Sequence, residues 1–275
     1  MLAESMGYEI AMPNLLGPKR AQFTCEEANE SRLVTKVRWI VESVNGRIKN
    51  VFRFFDHVIP NLYLAHDKLG RLLRIACAML NAYCPVLLKE KPGGRELAEF
   101  MLTRSELFNR LEEKLKTENL IRKRVVWLPV LASELQDFPR LCSQDLLDIT
   151  IGVFQIKLAP SYAHRLIAQQ QISEIEDADV LFFYYHRDYN DLLRVHMPSR
   201  FRSGQSHQVW IHYEPNSNRG PQAIKSWYCQ CRSGARVVGC CAHVACILWY
   251  LGFARHQPEI RYPAANLGAS LLSAR

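Results

Sequence analysis

The stretch Cys229-Gln230-Cys231, followed nine residues later by Cys241-Ala242-His243, decides how the C-terminal part of this chain folds. Three thiolates and one imidazole form the ligand set that a closed, four-coordinate structural zinc site requires. In each pair a single residue separates the two side chains, so that both can reach one ion from an extended or turning segment. The nine-residue loop brings the two pairs together, and the stretch therefore predicts a metal-closed turn.

The residues on either side of this stretch predict its local structure. Trp227 and Tyr228 lead into it as a strand would. The run 243–251 is apolar, lacks Pro and Gly, and then meets Gly252, which is typical of a short helix with a C-terminal stop. We expect a strand, a turn and a helix that are closed by one metal ion.

The alternative is a set of buried free cysteines, because cysteine is among the most buried residue types. The distribution of the nine cysteines argues against it. Five of them crowd into the short range 229–246, whereas the whole chain before that range holds four. The odd total also argues against a disulfide framework and agrees with a reducing compartment.

The spacing resembles that of the SWIM zinc finger, whose pattern is Cys-x-Cys, a variable loop and then Cys-x-His. Carried over position by position, the resemblance implies that the Zn²⁺ ligands are Cys229, Cys231, Cys241 and His243. Cys240 could substitute for Cys241, but only Cys241 keeps the single-residue spacing to the histidine. Cys246 falls one helical turn later, on the buried side. For such fingers the resemblance implies DNA or protein binding, without choosing between them.

Composition sets wider limits on the function. The chain has 275 residues, 48% hydrophobic and 23% charged, which leaves room for two domains. Its formal net charge of +8 favours anionic partners such as nucleic acid. We find neither a signal peptide nor an uninterrupted apolar run long enough to cross a membrane, and we therefore expect a soluble intracellular protein without a membrane partner. We also expect a nuclear location and no small-molecule substrate.

Two helical patterns occupy the N-terminal part, after an irregular lead-in over residues 1–30. The first spans 31–55 with Ser31 as its possible cap, and the second ends before Pro85. The apolar positions of the first are Ile40, Val44, Ile48, Val51, Phe52 and Phe55. Its charged residues are the basic Arg32, Lys36, Arg38, Arg47, Lys49 and Arg53 and the single acid Glu42.

Glu42 lies four residues after Arg38 and seven before Lys49, so all three project from about the same helix face. Spacing alone favours an ordinary intrahelical ion pair. However, residues 26–29 and 31–49 resemble the C-terminal helix of DDE transposases of the Harbinger-like kind. That helix carries the third metal-binding carboxylate, with an arginine before it and a lysine after it that contact DNA ends. The resemblance implies these roles for Glu42, Arg38 and Lys49, although Thr35 replaces the tyrosine of some bacterial relatives.

Two-metal phosphodiester hydrolysis needs several carboxylates that converge on Mg²⁺. In the family, the first two aspartates lie upstream on strands of a ribonuclease-H-like sheet. The stretch 1–41, which precedes Glu42, contains no aspartate and is too short to hold those strands. The resemblance therefore implies a remnant of the catalytic domain without its active site. A Mg²⁺-dependent nuclease stays open as an alternative if the missing aspartates are supplied from elsewhere, as does a transposon fragment without function.

The rest of the chain predicts an α+β fold. A charged helical stretch covers roughly 95–119 and a strand 125–128. Ser143 is expected to cap a helix that runs to about residue 158, and Pro160 to begin another. Short β-branched and aromatic runs over 180–186, 192–197 and 207–213 predict strands, with a hairpin turn at 188–191. Alternation in the last of these strands predicts that Val209 and Ile211 face inward. We expect the strand histidines to be exposed and do not assign them to zinc: His186, His196, His207 and His212.

These patterns divide the chain into a transposase-like remnant (1–92), a charged helical linker (93–139), an α+β domain (140–256) that contains the finger at about 210–254, and a tail (257–275). The finger loop carries Arg232 and Arg236, which either offset the charge of three thiolates on Zn²⁺ or meet a phosphate. The predicted function is that of a non-catalytic zinc protein derived from a transposable element, which binds nucleic acid or a protein partner. Its candidate DNA contacts are Arg38, Lys49, Arg232 and Arg236.

Overall fold

The computed structural model of the chain describes residues 11–63, 68–85, 92–123, 126–173, 183–199 and 205–258. It has two compact units. The N-terminal unit comprises Met1–Pro13 and Ser31–Leu102, and the C-terminal unit comprises Asn14–Glu30 and Thr103–Arg275. Most of the predicted tail and the start of the predicted strand 180–186 lie outside the described residues. The domain boundaries predicted from the sequence stay predictions.

Four α-helices and two short 3-10 helices occupy the described chain up to Ser105. They are α1 (Cys25–Val37), α2 (Trp39–Val51), the 3-10 turns Arg53–Phe55 and Asn61–Tyr63, α3 (Lys68–Tyr83) and α4 (Gly94–Ser105). Helix α3 ends before Pro85, as predicted. Among the described residues of the N-terminal unit, few large side chains are buried, and Val58 is 96% exposed.

The start of the first helix was predicted wrongly. Ser31 lies inside α1, and Thr24 caps the helix instead. The Thr24 hydroxyl accepts from the Glu27 backbone N–H at 3.2 Å, and the Thr24 N–H donates to the Glu27 carboxylate at 2.8 Å. This is a reciprocal capping box. Hydrogen bonds from Arg20 and then from Thr24 lower the pKa of Glu27 to about 2. The helix also breaks at Arg38 rather than continuing to residue 55.

A five-stranded antiparallel sheet organises the C-terminal unit, with its strands in chain order. The strands are β1 (Trp127–Val130), β2 (Phe183–His186), β3 (Leu192–Pro198), β4 (Ser206–Tyr213) and β5 (Ile224–Cys229). The helices of this unit are α5 (Arg110–Thr117), α6 (Ser143–Thr150), α7 (Val153–Ser173), α8 (Ala242–Ile247), a π-helix (Leu248–Phe253) and the 3-10 turns Gly220–Ala223 and Ala254–His256. The structure therefore combines helices with an antiparallel sheet, in agreement with the predicted α+β class.

The sheet buries side chains on both of its faces. Val209 and Ile211 of β4 are buried as predicted, on the face that packs against α7 and α8. Trp210, which points to the opposite face, is also fully buried and packs with Leu111 and Leu115 of α5. Because both faces are covered, β4 is a fixed platform for its neighbour β5, at whose end the first cysteine lies.

Four further details differ from the sequence predictions. Cys142 caps α6 in place of Ser143, and Ile151 in a left-handed conformation ends that helix well before residue 158. Pro160 lies inside α7 rather than at its start. Gly252 does not stop the last helix, because the helical path continues to Phe253. A Cβ at position 252 would press on Leu141, so this glycine permits close packing.

The buried side chain of Asn109 ties α5 to the sheet and to the loop beyond it. Its amide oxygen accepts from the Glu112 N–H at 3.0 Å and so caps α5. Its amide nitrogen donates to the carbonyls of Trp227 and Ala235, each at 2.9 Å. One side chain therefore holds a helix start, the last strand and the following loop at fixed distances.

We predict that Asn109→Ala lowers the free energy of unfolding by about 2–4 kcal/mol, because a cap and two buried carbonyl partners are lost together. Asn109→Ser keeps a capping oxygen but cannot reach the carbonyls, and should fall between Asn109→Ala and wild type. Chemical denaturation of the three proteins measures this order. Equal stability of all three would show that these hydrogen bonds contribute nothing.

Candidate metal centre

The structure brings the four predicted ligands to one place in the C-terminal unit. Cys229 ends β5, Cys231 lies in the turn after it, and Cys241 and His243 begin α8. Their ligand atoms all lie within 4.8 Å of one another. The His243 Nδ1 atom is 3.7 Å from the Cys229 Sγ atom and 4.0 Å from the Cys241 Sγ atom. In a tetrahedral zinc site with Zn–S near 2.3 Å, ligand atoms lie about 3.5–3.8 Å apart. The group could hold a metal such as zinc.

Burial makes this cluster depend on a cation. All three sulfur ligands are buried, and His243 is nearly so. Burial raises the pKa of Cys229 well above its ordinary value. Hydrogen bonds from the thiols of Cys229 and Cys231 lower the pKa of Cys241. A bound Zn²⁺ would stabilise the thiolate form of all three cysteines and offset the cost of burying their charge.

The turn between the cysteines closes through its own backbone, within what we call the Cys/His segment (residues 229–243). The Cys229 N–H donates to the Gly234 carbonyl at 3.1 Å, and the Gly234 N–H donates to the Cys231 carbonyl at 3.0 Å. A Cβ atom on Gly234 would overlap the Cys229 carbonyl oxygen. Only glycine fits here without displacing the backbone next to the first ligand.

An N-terminal stretch of the chain supports the Cys/His segment from outside. The Gln22 side-chain amide donates to the carbonyls of Cys229 at 2.6 Å and of Cys231 at 2.9 Å, and its oxygen accepts from the Tyr228 hydroxyl at 2.8 Å. The Phe23 N–H donates to the Arg232 carbonyl at 3.0 Å. These contacts hold the turn that carries the first two ligands.

Asn29, which is fully buried, holds the other half of the loop. Its side-chain oxygen accepts from the N–H groups of Val237 and Val238, at 2.9 and 3.2 Å. Its nitrogen donates to the Ser105 carbonyl at 3.2 Å. The sequence prediction missed Gln22, Asn29 and Asn109, because polar side chains that bond to backbone groups far away in the sequence carry no periodic signal.

The two arginines of the loop have different surroundings. Arg236 is buried, and its guanidinium donates to the Cys240 carbonyl, next to the Cys241 ligand. Arg232 is exposed, with its guanidinium 5.0 Å from the centre of the Phe23 ring. This favours the charge-offset role for Arg236, while a phosphate contact by Arg232 stays a prediction.

Other residues around the cluster do not join it. Cys240 and Cys246 are fully buried outside it, and burial raises the pKa of Cys246. The His207 and Tyr162 rings lie 5.0 and 5.3 Å from the His243 ring, centre to centre. His186 is buried edge-on against Trp127, and His196, His207 and His212 are half-buried, so the expectation that the strand histidines are exposed is wrong.

The transposase-like residues lie on or next to one helix of the N-terminal unit. The Arg38 Nε and Glu42 Oε1 atoms are 3.5 Å apart, and both side chains are 67% exposed. Lys49 is exposed near the end of the same helix, α2. Among the described residues, Glu42 belongs to no group of three or more His, Cys, Asp or Glu side chains of the kind that holds a metal. The roles predicted for these three residues stay predictions.

Comparison with known proteins finds a family similarity in the N-terminal part of the chain. A family model described as DDE superfamily endonuclease matches residues 3–81, less than a third of the chain. The match includes Arg38, Glu42 and Lys49 and supports the transposase resemblance. No curated protein and no solved structure matches the chain significantly. In the described part of the chain, no helix has the length and apolar character needed to cross a membrane.

We predict that Gly234→Ala lowers the free energy of unfolding by about 1–3 kcal/mol and reduces the zinc retained on purification, because the new methyl group displaces the Cys229 carbonyl. Gly46→Ala is the matched control. A Cβ atom at position 46 meets nothing within 4 Å, so this change in a helix should stabilise the protein by up to about 1 kcal/mol. Thermal melting and metal analysis of both variants test this contrast. Full zinc content and wild-type melting of Gly234→Ala would contradict it.

Proposed function

We propose that this protein is a non-catalytic, nuclear zinc-binding protein of transposase origin, in which a SWIM-type finger organises a surface that binds nucleic acid. One observation carries the proposal: the side chains of Cys229, Cys231, Cys241 and His243 converge on one point. Three sulfurs and one nitrogen favour zinc over the oxygen-seeking Mg²⁺ and Ca²⁺.

A structural role for the metal agrees with the site. Four protein ligands fill a tetrahedral shell, which leaves no open position for water or substrate. The ligands are buried or nearly so, and the loop between them is tied by hydrogen bonds to Gln22 and Asn29. The order of the elements, Cys-x-Cys at a strand end and Cys-x-His at a helix start, supports the SWIM assignment.

Nucleic acid is the partner that the charge favours. The formal net charge is +8, and Arg232 is exposed on the loop between the ligand pairs. The similarity of residues 3–81 to DDE superfamily endonucleases agrees with a protein derived from DNA-handling ancestors. In the described part of the chain no group of metal-binding side chains gathers at Glu42, which favours a binding role for this helix over catalysis.

We predict one zinc ion per chain in the protein purified with zinc under reducing conditions, measured by native mass spectrometry. Cys231→Ser should lose the ion and lower the melting temperature of the C-terminal unit, because three ligands hold zinc less tightly than four. Cys240→Ala and Cys84→Ser remove cysteines outside the cluster and should keep one zinc. A wild-type protein without zinc would overturn the metal assignment. If Cys240→Ala lost the ion while Cys84→Ser kept it, the third cysteine ligand would be Cys240 rather than Cys241.

We also predict that the zinc-loaded full chain binds labelled oligonucleotides with an affinity that falls as salt rises, because basic side chains displace counterions from phosphates. Fluorescence anisotropy between about 50 and 200 mM salt measures this. Removal of zinc by a chelator should abolish most of the binding. Absence of binding to DNA and RNA at the lowest salt, with one zinc bound, would leave the finger in place and refute nucleic acid as its partner.

A further inference from the structure

A groove in the C-terminal unit lies beside the Cys/His segment and has a volume of about 330 Å³. Its walls come from the segment 104–110 that leads into α5, from β5, and from the loop after Cys231. The residues that line it include Arg104, Phe108, Arg110, Lys225, Trp227 and Val237. Ligand pockets in proteins have volumes from about 300 Å³ upward, so the groove has the size of a small binding site.

The described lining residues include three cations and no acid. Arg104 and Arg110 stand on the 104–110 wall, and Lys225 stands on the strand opposite. Arg104 is half-buried, and this burial lowers the pKa of its guanidinium. Lys225 pairs with Glu214 at 2.9 Å, and Glu214 does not line the groove. Cations gathered without an acid in the wall complement an anionic ligand.

Aromatic rings lie next to these cations. Phe108 is 58% exposed, with the Arg110 guanidinium 5.9 Å from its ring centre. The Arg104 guanidinium lies 5.8 Å from the centre of the Trp227 ring on the opposite wall. An exposed ring beside basic groups is the arrangement by which proteins hold single-stranded nucleic acid, because a base stacks on the ring while the cations meet the phosphates.

The Cys/His segment builds one wall of this groove. The Arg104 Nε atom donates to the Val237 carbonyl at 3.1 Å, and the Trp227 indole donates to the Arg236 carbonyl at 3.2 Å. Asn109 bonds the carbonyls of Trp227 and Ala235. A cluster that lost its metal would release the loop 232–240 and with it this wall.

We propose that this groove binds a single nucleic-acid strand, with one base stacked on Phe108 and the flanking phosphates on Arg110, Arg104 and Lys225. The inference rests on the proposed function and deepens it, because it names the strand type and the contacts. A paired duplex cannot stack a base on Phe108, since its bases are already stacked within the helix. The strand is therefore preferred over a duplex of the same length.

The test uses the zinc-loaded full chain, a labelled 20-nucleotide oligo(dT) and a duplex of equal length, with anisotropy measured over a salt series. Phe108→Leu keeps an apolar side chain but removes the ring, and should weaken strand binding about tenfold without changing the salt dependence. Arg110→Gln should weaken strand binding and reduce the slope of log affinity against log salt by about 0.7, the value for one phosphate contact on a single strand.

Arg122→Gln is the matched control, because Arg122 is an exposed cation of the same unit outside the groove. It should bind the strand within about twofold of wild type. Zinc content and melting temperature of every variant confirm that the fold is kept.

Each other outcome has a distinct meaning. If the wild type binds the strand and neither Phe108→Leu nor Arg110→Gln weakens this binding, the groove is not the binding site. The proposed function would then still stand. No binding by the zinc-loaded wild type would overturn both. A duplex bound as tightly as the strand would refute the strand preference. Displacement of oligo(dT) by polyglutamate at equal charge concentration would show that the groove takes an acidic peptide instead.

Discussion

Four ligand atoms buried within 4.8 Å of one another are the constraint on which the C-terminal unit depends. Three sulfur groups at this distance cannot all ionise in a buried site unless a cation compensates them. With a cation, the same proximity becomes a cross-link that joins the end of β5 to the start of α8. The strand is fixed by a sheet covered on both faces, and the helix packs into the larger core. The metal would therefore lock two rigid elements together, and the loop between them takes its shape from that closure.

The N-terminal stretch that supports this loop belongs to the C-terminal structural unit. Gln22 and Asn29 lie within residues 3–81, which match the endonuclease family, yet they belong to the C-terminal unit. Their bonds reach the backbone groups of Cys229, Cys231, Val237 and Val238. A boundary drawn where the family resemblance ends would cut the loop from its supports. The Cys/His segment and residues 14–30 form one structural piece, although they lie near opposite ends of the sequence.

The sequence was sufficient where structure depends on local pattern and insufficient where it depends on distant contacts. Alternating β-branched and aromatic residues predicted β3 and β4 nearly to their observed ends, and single-residue spacing predicted which cysteines meet His243. The start of α1 was missed although Thr24 and Glu27 carry the signature of a capping box, because Ser31 stood nearer the apolar period. Gly252 was taken for a helix stop because close packing on Leu141 is invisible in sequence. The burial of His186 and Trp210 could not be predicted from sequence, because it depends on the residues that cover the second face of the sheet.

Charge explains why the two loop arginines are not equivalent. Zn²⁺ with three thiolates and a neutral imidazole carries a net charge of −1, and a buried net charge is unfavourable unless an opposite charge lies close. Arg236 is buried beside Cys240 and can supply that charge, so its guanidinium is committed to the protein interior. Arg232 stays exposed on the same loop, and further cations available to a phosphate lie in the groove. The groove supplies them on the wall that leads into α5, where Arg110 is exposed next to an exposed ring. The metal site and the proposed strand site thus use separate sets of cations, which the Cys/His segment places side by side.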